Sequence, residues 1–284
     1  MVAPSLIVIA LVAAYPIIYA IWLSLHQYSV RVQGLSRWVG VDNYIDALKS
    51  SEFWGAVKTT FIFTGVSVSF ELVIGVGMAL LMHAAFRGRA VLRAVVLVPW
   101  AVLTVGTAIM WRSIVEPDLG FLNQLLRALH LPGGHTVWLG QNGYALAVMI
   151  FADVWKTAPF MALLILAGLQ VIPDDVYEAA KVDGATAWQR FWYITLPLLR
   201  PAILVALIFR TLDALRIFDL PFVLTQGANG TTSLSLYAYQ TLVNNGLIGP
   251  GSALSVLTFL IVMLVSFLYI RLLGGNIRNL AEET

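Results

Sequence analysis

No cysteine occurs among the 284 residues, which removes disulfides, thiolate metal sites and thiol nucleophiles together. Charge is also scarce: 17 Lys and Arg and 15 Asp and Glu make up 11% of the chain, where an ordinary soluble domain carries about a quarter. So few charges cannot cover a water-facing surface, and a soluble globular protein, a disordered chain and a nucleic-acid binder are excluded together. The net charge of +2 is too small to call for an acidic partner. The four histidines, His26, His83, His130 and His135, share no metal-ligand spacing, so no metal site is expected. A Gly-x-x-x-x-Gly-Lys-Ser/Thr phosphate loop is missing too, which argues against a nucleotide-hydrolysing subunit. What remains is 60% hydrophobic, a chain dissolved in lipid.

A bilayer core of about 30 Å needs roughly 20 apolar residues in a helix. Six runs qualify: Val2 to Leu25, Thr59 to Met82, Ala94 to Trp111, Tyr144 to Leu169, Ala202 to Leu224 and Ser252 to Ile270. The first lacks a basic leader and exceeds a signal-peptide core of about 7 to 15 residues, so it reads as a true span. Met1 directly upon it points to a short or missing cytoplasmic leader. The expected fold is all-α, a polytopic membrane protein of six helices in one domain over residues 1–284.

Lys and Arg bias sets the orientation. Arg87, Arg89, Arg93, Lys181, Arg190, Arg200, Arg271 and Arg278 fall on one side; Arg31, Arg37, Lys49, Lys58, Arg112 and Arg127 fall on the other, in longer loops mixed with acids. The denser basic set marks the inside, with both termini cytoplasmic. Outside, Trp38, Tyr44, Phe53 and Trp54, and then Phe121, Leu125, Leu126 and Leu129, are placed to lie at the interface. Residues 225–251, rich in Gly, Asn, Ser and Thr, read as irregular and solvent-facing.

Spans four and five are joined by about 30 residues, far more than bundle connections need, and this cytoplasmic loop, 171–200, has helical grammar of its own. Asp175-Val-Tyr-Glu178 after Pro173 has the form of a capping box, and Gly184 supplies a stop. Thr186-Ala-Trp-Gln189 is a second capping box, opening a helix with Trp188, Phe191 and Trp192 on one side that Leu196-Pro197 should break. Within that loop, Glu178-Ala179-Ala180, Asp183-Gly184-Ala185 and Ile194-Thr195-Leu196-Pro197 resemble the EAA loop of ATP-binding-cassette importer permeases. Further matches run along nearly the whole chain: Trp38-Val-Gly-Val-Asp-Asn-Tyr44, Phe53-Trp54, Val154-Trp-Lys-Thr-Ala-Pro-Phe-Met161, Phe218-Asp219 and Ser252-Ala-Leu-Ser-Val256. Together they are similar to the carbohydrate-uptake branch, the maltose, trehalose and glycerol-3-phosphate type. Phe209 to Asp219 is especially like the trehalose-importer subunits of actinobacteria.

The resemblance implies a type I importer transmembrane domain that binds no cofactor itself, while ATP and Mg are used by partner ATPase subunits. It also implies a second homologous permease, two ATPase subunits docking on the loop, and an external sugar-binding protein. Glu178, Ala179, Ala180, Asp183, Gly184 and Ala185 would form the coupling element, with Glu178 facing a basic residue of the ATPase. The competing reading is that Glu178 caps its own helix.

Ionisable groups within spans are costly and are functional candidates by default. Asp153, Lys156, Thr157 and Phe160 share one helix face by their spacing. Arg210, Asp213, Arg216 and Asp219 recur every three residues with alternating sign, drifting about 60° per step. Asp153, Lys156, Thr157, Phe160, Arg210 and Asp213 suit a polar sugar pathway; alternatively Asp153 with Lys156, and Arg210 with Asp213, are structural pairs. Arg216 and Asp219 read as structural. Glu71, with no partner on its own helix, either is protonated, meets Arg210 or Lys156 across the bundle, or joins the pathway. Pro99-Trp100 and Pro159 read as helix bends. A different class of function, an ion-gradient-driven carrier using Glu71 or Asp153, explains buried carboxylates but not the structured loop, and the inverted repeats and discontinuous helices of such carriers are not evident in the sequence.

Overall fold

The computed structural model describes residues 3–30, 36–84 and 88–282; Arg31 and Arg87, and the side chains of Arg89 and Arg278, lie outside that description. Helix α1, Ala3–Ser24, is 22 residues long, about 33 Å at 1.5 Å per residue. A small antiparallel hairpin follows, β1 (His26–Tyr28) and β2 (Ser36–Trp38), in the register His26 to Trp38, the one strand pair among the described residues of an otherwise helical fold. Asn43 of α2 (Asp42–Lys49) ties the hairpin down, its amide donating to the carbonyls of Ser24 and His26 at 2.7 and 3.0 Å.

Helix α3 (Ser51–His83) is 33 residues long and starts where the Ser50 hydroxyl accepts from the Phe53 amide at 3.2 Å. Phe53 is 1% exposed, so it belongs to the core and not to the interface expected for it; Trp38, Trp54, Phe121, Leu125 and Leu129 are exposed as expected. The third span is not one helix. Helices α4 (Arg89–Ala101) and α5 (Thr104–Ile114) meet at 89°. Pro99 withholds an N–H, and the extended backbone at Val102 and Leu103 completes the break. Helix α6 (Phe121–Ala128) crosses a surface loop before α7, Tyr144–Leu169, which matches its expected bounds and runs on through Pro159 without a break.

Beyond α7 come α8 (Asp174–Val182) and α9 (Ala187–Arg190), a π-turn over Phe191–Thr195, and α10 (Leu196–Ala214). Leu196-Pro197 therefore does not end the helix. The π-turn widens the chain so that the Leu196 amide reaches the Phe191 carbonyl, and Pro197, with no N–H to place, sits in the first turn of α10 where none is needed. The fifth span is itself interrupted: residues 215–218 separate α10 from α11 (Asp219–Leu224). Residues 225–251 are not a solvated loop, because Thr231, Ser233, Leu234 and Leu236 are 2% exposed or less. They fold back as α12 (Leu234–Tyr239), whose Leu234 amide bonds the Thr60 hydroxyl at 3.0 Å, and lead into α13 (Ile248–Glu282).

Among the described residues four segments are long and apolar enough to cross a membrane, and α4 with α5 makes a fifth if the bent pair is one span. The core lies where α3, α7 and α10 pack together. Small residues permit that approach. A Cβ on Gly75 would come 2.7 Å from Cγ of Met161, and one on Gly168 would collide with Cβ of Ala202.

Candidate functional site

Thr60, Thr64, Ser67 and Glu71 lie at i, i+4, i+7 and i+11 on α3, and all four are buried. This polar stripe meets α12 at Thr60 and ends, at Ser67 and Glu71, on a charge cluster with α7 and α10. Arg210, 2% exposed, donates from Nε and Nη2 to the two oxygens of Glu71, from Nη2 to Oδ2 of Asp153 at 2.8 Å, and from Nη1 to Oδ2 of Asp213 at 2.6 Å. Four of the five guanidinium N–H groups are thereby engaged. The Ser67 hydroxyl lies 2.9 Å from Oε1 of Glu71 and 2.6 Å from Oδ2 of Asp153, and that of Thr157 lies 2.7 Å from Oε1 of Glu71. Three helices are fastened at one point, and a buried fork satisfies two buried carboxylates as such groups require.

Of the alternatives open for Glu71, the meeting with Arg210 is the one formed. Asp153 pairs with Arg210 and not with Lys156. Lys156 is half-buried and makes no ion pair among the described residues. The face shared by Asp153, Lys156, Thr157 and Phe160 is divided: Asp153 and Thr157 turn into the cluster, while Lys156 and Phe160 stay on the accessible edge. There Phe160 stacks on Trp100, with centroids 5.6 Å apart and planes at 13°. Asp213 keeps its pair with Arg210 yet leaves its side chain 70% exposed. The alternating series stops with that pair, since α10 ends at Ala214 and the helical spacing with it; Arg216 is exposed, with Nε donating to the Leu212 carbonyl at 3.2 Å, and Asp219 opens α11.

Ser67 and Trp100 were not singled out as site residues in the sequence. The stripe on α3 was a usable signal for Ser67. Trp100 needed the fold, because only the packing of α4 on α7 lays it against Phe160. A second feature without a simple sequence signal is a mostly apolar cavity of about 630 Å³ lined by Phe218, Tyr239, Leu242, Val243 and Phe259, with Arg216 among its lining residues.

The loop between α7 and α10 carries the other group of candidate residues. Helix α8 begins at Asp174, one residue before the expected cap, and its N-cap Pro173 offers no side-chain acceptor. The capping box at Asp175 is therefore not formed; Asp175 stands inside the first turn, where its charge meets the helix dipole. Glu178 is exposed and has no hydrogen-bond or ion-pair partner among the described residues, so the reading in which it caps its own helix fails. The end of α8 is closed as expected. Gly184, at φ +78°, lets its own amide reach the Lys181 carbonyl at 3.1 Å and the Ala185 amide reach that of Ala180 at 2.9 Å, a Schellman turn. Ala179 and Asp183 are exposed and Ala185 is half-buried, while Ala180 is 8% exposed and packs inward. The capping box of α9 is present, Gln189 amide to Thr186 hydroxyl at 3.3 Å and Thr186 amide to the Gln189 side chain at 2.8 Å.

Residues 71–278 match the family model described as "Binding-protein-dependent transport system inner membrane component". The trehalose transport system permease protein SugA of Mycobacterium tuberculosis is 42% identical over 275 residues, covering 97% of this chain and 88% of that protein. The trehalose/maltose transport system permease protein MalF of Thermococcus litoralis is 44% identical over 273 residues, covering 95% and 91%. A crystal structure of a bacterial alginate ABC transporter, in complex with an alginate pentasaccharide-bound periplasmic protein, contains a chain of the same fold. Its TM-score is 0.83 at 24% identity, over 95% of this chain and 91% of that one. The match leaves the ion-gradient carrier without support. The chain belongs to the inner membrane components of binding-protein-dependent transport systems, as a multi-pass permease subunit and not a nucleotide-hydrolysing one.

Proposed function

We propose that this permease forms half of the translocation pathway for a disaccharide such as trehalose or maltose. It would have six spans and both termini in the cytoplasm, and would work beside a second homologous permease. Two ATPase subunits bind and hydrolyse ATP with Mg, one of them engaging α8, while an external sugar-binding protein delivers substrate; this chain holds no cofactor. The relatives named for trehalose and maltose support the substrate class. The observation that carries the coupling role is Glu178: an unpaired carboxylate on an exposed short helix, held rigid by the Gly184 turn, beneath the two helices that the Arg210 cluster ties together. ATP binding closes the ATPase pair, α8 follows it, and α7 and α10 move between inward-facing and outward-facing states whose energies lie within a few kcal/mol.

In this reading Lys156, Phe160 and Asp213 contact sugar, through charge-assisted bonds to hydroxyls and through an aromatic face on the ring. Glu71, Asp153, Thr157 and Arg210 hold that face in place, because their polar groups are already bonded to one another. The test is uptake of labelled trehalose and of maltose by proteoliposomes containing the full complex. Glu178→Ala should abolish ATP-driven uptake without altering thermal stability of the permease pair; undiminished uptake with intact ATPase assembly would remove the coupling role. Accumulation of sugar against a gradient by this chain alone would overturn the whole reading.

A further inference from the structure

The two faces of α8 differ. Asp175, Ala179 and Val182, at i, i+4 and i+7, look outward, with Val182 88% exposed. Asp174, Tyr177 and Lys181, at i, i+3 and i+7, look the other way, into a cavity of about 660 Å³ between α8, α9 and the ends of α3 and α7. Lys181, Arg190 and His83 stand around it, Leu80, Leu169 and Trp188 wall it, and Asp174 is its one acidic lining residue among those described. Arg190 is held by a bond from Nη1 to the Ala185 carbonyl at 2.8 Å. Lys181 has no hydrogen-bond or ion-pair partner among the described residues.

The order of the lining residues points to the occupant. Apolar walls formed by the last turns of α3 and α7 and basic groups just beyond them reproduce the section of a phospholipid from acyl chain to phosphate. Trp188, Trp192 and Tyr193, 70%, 46% and 79% exposed, stand beside it as interfacial aromatics do. Basic pockets at the cytoplasmic ends of spans hold anionic headgroups. We propose that this cavity binds the phosphate of an anionic phospholipid and seats α8 against the membrane on its inner face, leaving its outer face to the ATPase. The proposal rests on the cytoplasmic placing of α8 given above.

The complete importer, purified into nanodiscs of phosphatidylcholine with or without phosphatidylglycerol, tests it by native mass spectrometry and ATPase rate. Wild type should retain phosphatidylglycerol in preference to phosphatidylcholine. Lys181→Gln, which breaks no bond in the fold, should weaken that retention about fivefold, from roughly 1 kcal/mol per basic residue near the surface. Arg190→Lys, which keeps the charge, should retain most of it. Equal retention of both lipids, retention unchanged by Lys181→Gln, competition by soluble glycerol phosphate as strong as by lipid, or retention by the permease pair that vanishes when the ATPase is bound would each overturn the lipid site. A single cysteine introduced as Val182→Cys, labelled from one side only, separates this outcome from a failure of the orientation: labelling from outside would sink the functional reading itself.

Discussion

Replacing Arg210 by methionine removes a guanidinium that is 2% exposed and leaves Glu71, 0% exposed, and Asp153, 5% exposed, facing each other with no cation. Breaking a buried ion pair by deleting one partner costs about 3–5 kcal/mol, because the remaining charge stays desolvated. At roughly 2–4 °C per kcal/mol for a domain of comparable size, the melting temperature of the assembled complex should fall by roughly 6–20 °C. The triple variant Arg210→Met, Glu71→Gln, Asp153→Asn removes the orphaned charges together and should recover most of the loss, a non-additivity that a mutant cycle reads directly. Lys156→Met is the control for a substrate role: half-buried and without an ion pair among the described residues, it should leave the melting temperature nearly unchanged and raise the KM for sugar uptake. Scanning calorimetry or dye-based melting in nanodiscs, beside uptake kinetics, checks both. If Arg210→Met melts like wild type and only raises KM, the cluster is a binding site and not a clasp, and the division of roles drawn here is wrong.

Ser67→Ala removes the hydroxyl shared by Glu71 and Asp153 and should cost about 1–3 kcal/mol, visible as a smaller melting shift than that of Arg210→Met. Gly168→Ala pushes a methyl into Ala202 where α7 meets α10; overpacking of that kind costs about 1–3 kcal/mol, and the larger Gly168→Leu should block assembly, seen as loss of the complex peak in size-exclusion chromatography. Gly184→Ala strains a residue at φ +78° by about 1–2 kcal/mol; uptake and ATPase co-purification should fall while the melting of the permease pair holds.

Much of the framework was readable because burial in lipid imposes simple patterns. The run from Tyr144 to Leu169 and its helix coincide, since in hydrocarbon a helix satisfies its own backbone groups and its bounds follow from polarity alone. Gly184 was readable for a similar reason, as a left-handed closing turn favours a residue without a Cβ. Segments whose backbone is satisfied by other parts of the protein were misread. Residues 225–251 look solvated by composition, yet their hydroxyls bond inward, Thr225 to Thr231 and Ser233 to the Ile217 carbonyl. The capping box at Asp175 failed because α8 starts at Asp174, two residues before the Val176 start that the box implies, a shift too small for a four-residue pattern to resolve.

The charges show the same boundary most plainly. Sequence alone determined that this is a membrane permease, because scarcity of charge dictates the solvent and the loop pattern around Glu178 is local. It also showed that Glu71, Asp153 and Arg210 were costly exceptions. Which of them meet was decided only by the tertiary structure. Glu71 and Arg210 are 139 residues apart, and no periodicity along one helix records how a second and a third helix are rotated against it. That rotation depends on the close approach allowed at Gly75 and Gly168. It turns Asp153 and Thr157 inward and leaves Lys156 and Phe160 half-buried and Asp213 exposed at the edge of the cluster.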